Sequence, residues 1–187
     1  MNAEEFIVNW GKDDMIYYNA DMLSKRGISP KYQEYLSKYG LPESAAPYLN
    51  FETIDIENMS FLFNDYYYLG FTGNGDWICI KNSNGKILIV DHEIYGEEDD
   101  DESGANSGEN DGTEDEETED EEFEGIILMN TSLEKLYECL LAYRSFLDKH
   151  VLENSAEYKR EFEILQNTLT QIDAHAMDID GFWRNAI

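Results

Sequence analysis

The residues best equipped for chemistry are the histidines, the close-set carboxylates and a glycine-rich turn. His92, His150 and His175 stand far apart, and none has a partner at metal-ligand spacing. The nearest constellation is Asp91-His92-Glu93. On an extended strand end successive side chains alternate, so Asp91 and Glu93 are expected on one face and His92 on the other. That splits the set, and a solvated strand end is the simpler reading. Gly70, Gly73 and Gly75 have the wrong spacing for a phosphate loop, carry Asp76 where an anion would sit, and lead into a strand instead of a helix. Their expected role is to supply positive φ in a tight hairpin. Asp99-x-Asp101-x-Ser103-Gly104 matches the first half of an EF-hand loop, but the twelfth position is Asn110 instead of glutamate, and no flanking helices are predicted. Nucleophile-elbow and P-loop patterns do not occur. No catalytic residue, metal ligand or cofactor is assigned.

Charge says more than motif. Against 13 Lys+Arg stand 41 Asp+Glu in 187 residues, a formal charge of −28. Direct attraction to nucleic-acid phosphates or anionic lipid is thereby excluded, while a basic partner suits the field. Residues 97–124 hold 17 acids, no Lys or Arg, and one large apolar side chain, Phe123. Such a stretch buries nothing and repels itself, so it is expected as an extended insertion within one domain spanning 1–187. Loop-closure entropy grows slowly with length, so an insertion costs little stability. Cys79 and Cys139 lie in apolar runs, which fits reduced core thiols better than a disulfide or a metal knuckle. The first residues lack a secretory pattern and no apolar run is long enough to span a bilayer, which predicts a soluble, cytoplasmic protein.

The elements that must position these residues are legible from pattern. Phe6 and Trp10, then Tyr32, Tyr35, Leu36 and Tyr39, recur at helical spacing, with Pro30 to start the second helix and Gly40-Leu41-Pro42 to stop it. Residues 48–63 read as extended. Tyr66 to Phe71, Trp77 to Ile80 and Ile87 to Val90 read as strands joined at Gly73-Asn74-Gly75 and Asn84-Gly85, the middle of an antiparallel sheet. Both strand faces are apolar, so helices from the two chain ends are expected to cover each side. Ile126 to Met129 predicts another strand. Thr131-Ser132-Leu133-Glu134 is a capping box for a helix with a stripe of Leu133, Leu136, Tyr137, Leu140, Leu141 and Leu147. Tyr158, Phe162, Leu165, Leu169 and Ile172 form the seam of a last helix, and Phe182, Trp183 and Ile187 an apolar cluster that docks the C-terminus. The fold class is α+β, a central antiparallel sheet with N-terminal and C-terminal helices.

The run Tyr68-Leu69-Gly70-Phe71-Thr72-Gly73-Asn74-Gly75-Asp76-Trp77-Ile78-Cys79-Ile80, with Gly85 and Asp91-His92-Glu93 after it, resembles the central motif of the SUKH superfamily of bacterial immunity proteins. Gly27-Ile28-Ser29-Pro30 and Gly40-Leu41-Pro42 resemble that family's N-terminal helical segment, and Met129 to Glu134 with Cys139-Leu140 its strand-to-helix junction. The pattern is closest to the fourth SUKH subgroup. Asn74 stands where a third glycine is expected, and the acidic insertion replaces a short connection. The resemblance implies an α+β domain without catalysis that neutralises a cognate toxin domain, often a nuclease or nucleic-acid deaminase.

A nuclease needs a basic groove, toward which a chain of charge −28 is steered, and such attraction raises association rates by ~10 to 10³ fold at low salt. Affinity is expected from aromatic anchors in a desolvated patch. The candidates for partner binding are Tyr66, Tyr67 and Tyr68, with Asp76 and Glu93, and Glu97, Glu98, Asp99, Asp100 and Asp101 of the insertion. The alternative is an intracellular scaffold that responds to divalent cations or regulates another protein, with no toxin partner.

Overall fold

Gly-Asn-Gly and Asn-Gly break a long apolar stretch into strands that have nowhere to go but back along one another. In the computed structural model, which describes residues 3–53, 65–95 and 124–186, β5 (Tyr66–Thr72) turns through Gly73–Asp76 into β6 (Trp77–Lys81), and Asn82–Lys86 leads into β7 (Ile87–Val90). Beside β5 lie β4 (Leu49–Phe51) and β3 (Ser44–Ala45), and beside β7 lies β8 (Ile126–Asn130). All neighbours are antiparallel and follow chain order, a six-stranded meander. A separate ribbon pairs β1 (Met15–Ile16) with β2 (Leu41–Pro42). The antiparallel α+β architecture expected from the pattern is what forms.

Gly70 carries an irregularity in the ladder between Tyr68 and Gly70. Its φ of +157° and the close approach of β4, where a Cβ would meet Asn50 O at 2.0 Å, leave room only for glycine.

The helices are short at the front and long at the back. α1 (Ala3–Trp10), α2 (Ala20–Lys25) and α3 (Pro30–Glu34) precede the sheet, α3 running on through a π-helical turn at Tyr35–Tyr39. α4 (His92–Tyr95) follows β7. Then come α5 (Leu133–Leu147), α6 (Ala156–Ile172), a 3₁₀ turn at His175–Met177 and α7 (Phe182–Ala186). α5 starts one residue later than the capping box predicts. Ser132 is its N-cap, with Oγ accepting from Lys135 N, and Thr131 is left to bond elsewhere.

One large core joins Phe6, Leu23, Leu36, Leu133, Leu136 and Leu169 of the helices to Leu69, Ile78, Ile80, Ile87, Ile89 and Met129 of the sheet. Phe6 stacks on Tyr137 with centroids 4.3 Å apart, and the Tyr137 hydroxyl donates to Gly40 O at 2.7 Å. Phe146, not Leu147, completes the buried stripe of α5, and Leu147 is exposed. Trp183 is fully buried, so the C-terminal cluster docks as expected, whereas Ile187 lies outside the described residues.

Helices from both chain ends share this one face. The reverse face forms its own cluster of Tyr66, Cys79, Leu88 and Val90, with Trp77, Ile126 and Leu128 packed against it, all of them strand residues. The expectation that terminal helices divide between the two faces is therefore corrected. The N-terminal helices precede the sheet and meet α5, so their apolar stripes merge into a single layer. Cys79 and Cys139 are both free and buried, and burial pushes both thiols up, that of Cys139 to about 12.

Candidate functional site

Register decides what gathers at each end of the sheet. Leu49 faces Thr72, Phe71 faces Trp77, Trp77 faces Val90, and Val90 faces Ile126. One end therefore collects Pro47 and Tyr48, the turn Gly73–Asp76, Asp91 and His92, and Gly125. Asp91 N donates to Gly125 O at 2.9 Å, which extends the β7–β8 ladder by one bond beyond Val90. The chain leaves this end after α4 and returns at Glu124, so the acidic stretch is tethered here. Residues 97–101, and with them the sequence candidates Glu97, Glu98, Asp99, Asp100 and Asp101, lie outside the described residues.

Tyr48 dominates the surface at this end. It follows a cis Ala46–Pro47 bond, holds φ at +55°, and is 83% exposed. A bulky residue in the left-handed region is a rare and costly placement. Its Cβ fits because Gly73 has none: a Cβ there would lie 2.9 Å from that of Tyr48. Gly73 itself has no positive φ, which corrects the expectation for that position. It is small for contact, while Gly75, at φ +95°, carries the turn.

The Tyr48 ring borders two concavities. One, about 480 Å³, is also lined by Gly73, Asp76, Ile127, Phe182 and Asn185. The other, about 490 Å³, has Trp10, Asn50, Arg144 and Leu147 in its wall. Arg144 stacks over the Trp10 ring at 4.7 Å and donates to Trp10 O. Ile127 at 40% and Leu147 at 46% exposure add apolar surface on either side.

Asp76 is brought against His92. Asp76 Oδ1 lies 3.1 Å from His92 Nδ1, and Asp76 Oδ2 accepts weakly from the Thr72 hydroxyl at 3.4 Å. Gly75 makes the fit possible, since a Cβ there would lie 3.2 Å from the imidazole Cε1. Asp91 accepts from Glu93 N at 2.9 Å through Oδ1. The alternation expected for Asp91-His92-Glu93 does not hold, because α4 begins at His92 and turns the chain. Asp91 and His92 lie together with Asp76, and Glu93 points away, exposed.

The three tyrosines of β5 are packed, not presented. Tyr66 and Tyr67 are 8% exposed and Tyr68 is 7%. Tyr67 belongs to the main core and edges onto Tyr18, while Tyr66 joins the reverse-face cluster. The Tyr68 hydroxyl donates to Glu52, and burial followed by that carboxylate raises it far above its ordinary value. None offers a ring to a partner. Of the described sequence candidates, Asp76 lines one of these concavities. The missed residue is Tyr48, whose only signal was the neighbouring Pro47 in a stretch read as extended.

The opposite end is closed. Asp173, 1% exposed, accepts from Asn130 Nδ2 at 3.2 Å, Thr131 N at 2.7 Å, the Thr131 hydroxyl at 3.1 Å and Lys135 Nζ at 3.4 Å. Asn130 Oδ1 in turn accepts from the Trp183 indole at 3.0 Å. This network pins α6 and α7 to the end of β8.

Among the described residues no helix is long and apolar enough to cross a membrane. Compared with known proteins, the chain finds no matching family model, no matching curated protein and no matching solved structure.

Proposed function

We propose that this chain is a stoichiometric binding protein of the toxin-immunity kind, which occludes the working groove of a basic toxin domain and transforms nothing itself. The observation that carries the reading is the exposed, left-handed Tyr48 ring set between two concavities at the sheet end from which the acidic stretch departs. Strain kept at an exposed aromatic serves presentation, because the ring contributes little to the core. An aromatic anchor beside a pocket, with negative charge around it, is how protein interfaces combine affinity with fast encounter. The charge of −28 supplies the steering. The resemblance to SUKH immunity proteins supports the same role, with the cytoplasm as the place where it acts.

Co-expression with the toxic domain encoded beside this gene tests the reading. Growth is expected to be restored, and the purified pair to elute as a complex of fixed stoichiometry. A toxin that still kills in the presence of this chain would overturn the pairing.

A further inference from the structure

We infer that Asp76, Asp91 and His92 form a binding site for one divalent transition-metal ion of the zinc or manganese class. Two places in the chain supply them: Asp76 lies in the β5–β6 turn, and the consecutive Asp91 and His92 lie where β7 passes into α4. One donor atom from each lies within 4.8 Å of the other two. Atoms bound to one ion at 2.0–2.2 Å stand about 3.0–3.6 Å apart, so the 3.1 Å between His92 Nδ1 and Asp76 Oδ1 is already ligand spacing. Asp91 supplies the third donor, within 4.8 Å of the other two. Each carboxylate is also held through one oxygen, Asp76 Oδ2 by the Thr72 hydroxyl and Asp91 Oδ1 by Glu93 N, while Asp76 Oδ1 faces His92 Nδ1. Hydrogen bonds of this outer kind orient ligands in metal sites. The imidazole ring lies on Gly75, where any side chain would crowd it.

Composition selects the ion. A nitrogen donor with two carboxylates suits first-row transition metals, whereas magnesium and calcium prefer oxygen alone. His92 and Asp76 are partly buried, with 38% and 25% of their side chains exposed, so an ion here is shielded from bulk water on part of its shell. Three protein ligands leave at least one position for water or for a donor from a bound molecule. The ion would tie the Gly73–Asp76 turn to the end of β7, on the rim of the cleft that Asp76 lines. The inference is independent of the toxin-binding reading, since it needs no partner.

The chain's three histidines provide the assay. In imidazole ¹H–¹⁵N spectra of the full wild-type chain, zinc chloride is expected to shift the His92 signals to saturation at one equivalent while those of His150 and His175 stay in place. Calcium at the same concentration is expected to leave the His92 ring unmoved. By calorimetry, His92→Gln and Asp91→Asn should each weaken zinc binding at least tenfold, with far-UV circular dichroism unchanged. Equal response of all three histidines, a calcium shift as large as the zinc shift, or undiminished zinc affinity in His92→Gln would overturn the site. The wild-type spectra keep the test decisive if a variant fails to fold.

Discussion

Asp173 and Asp76 sit at opposite ends of one sheet and are bonded in opposite ways. Asp173 is buried and meets donors from Asn130, Thr131 and Lys135. Asp76 is partly exposed, meets one imidazole and one weak hydroxyl, and lines a cleft. A carboxylate whose lone pairs are filled by its own chain can only hold that chain together, whereas one left with spare capacity can hold something else. The comparison extends to the aromatics: Trp183 is sealed in at the Asp173 end, while Tyr48 stands in solvent at the Asp76 end. The filled carboxylate and the open one are thus kept apart by the length of the strands.

Five substitutions can break or sharpen that contrast. The largest effect is expected from Asp173→Ala, which strands buried donors on Asn130 and Thr131 and should cost about 3 kcal/mol in urea unfolding, against less than about 0.5 kcal/mol for Asp76→Asn without metal. Equal losses would erase the distinction between the ends. Next, if the chain acts as proposed, Tyr48→Ala should weaken its complex with the cognate toxin domain by about 2 kcal/mol, roughly thirtyfold in Kd by surface plasmon resonance, with unfolding unchanged. An unaltered Kd would move the interface elsewhere. Third, Tyr48→Gly should raise stability by up to about 1 kcal/mol, because glycine relieves the left-handed φ and the ring packs little. A loss instead would mean that the ring supports the fold.

The smallest effect concerns the closed end again. Lys31 Nζ lies 2.5 Å from Glu134 Oε1. Burial pushes the Glu134 carboxyl upward, but the Lys31 hydrogen bond and its neighbours outweigh it and leave it below the ordinary glutamate range. The hydrogen bond to Glu134 raises Lys31. A lowered acid stabilises the fold above its unfolded pKa and loses that contribution as pH falls through the folded one. The raised lysine contributes below its ordinary value and loses it as pH climbs through the raised one. Lys31 is half exposed, so the pair is worth about 0.2–1 kcal/mol. The stability gap between wild type and Glu134→Gln should narrow as pH falls from about 5 toward 3. A gap independent of pH would assign the effect to packing.

Local rules made the helices and the sheet readable, and long-range contacts hid what gathers at the two ends of the sheet. The strands, both hairpin turns and the seams of α5 and α6 follow from periodicity and punctuation, with slips of one residue at the N-cap and at Phe146, where two adjacent residues satisfy the same rule. Asp76 and His92 are sixteen positions apart and meet only because β6 and β7 pair in one register. A helical turn at His92 then cancels the alternation that a strand would impose. Tyr66, Tyr67 and Tyr68 carry the composition of an interface, but composition does not distinguish a presented ring from a packed one when both sheet faces are apolar. Asp173 gave no signal at all, since its partners come from β8 and α5, about forty positions away.

The bond from Asp91 to Gly125 has a practical consequence for anyone who wishes to rebuild this chain. The β7–β8 ladder runs without a break from Val90 and Ile126 to the bond between Asp91 and Gly125, and each doubling of a loop that joins two such strands costs about 0.6 kcal/mol. This junction is therefore a splice point: a fluorescent reporter or a peptide epitope with neighbouring termini can be grafted there while the strand register stays fixed.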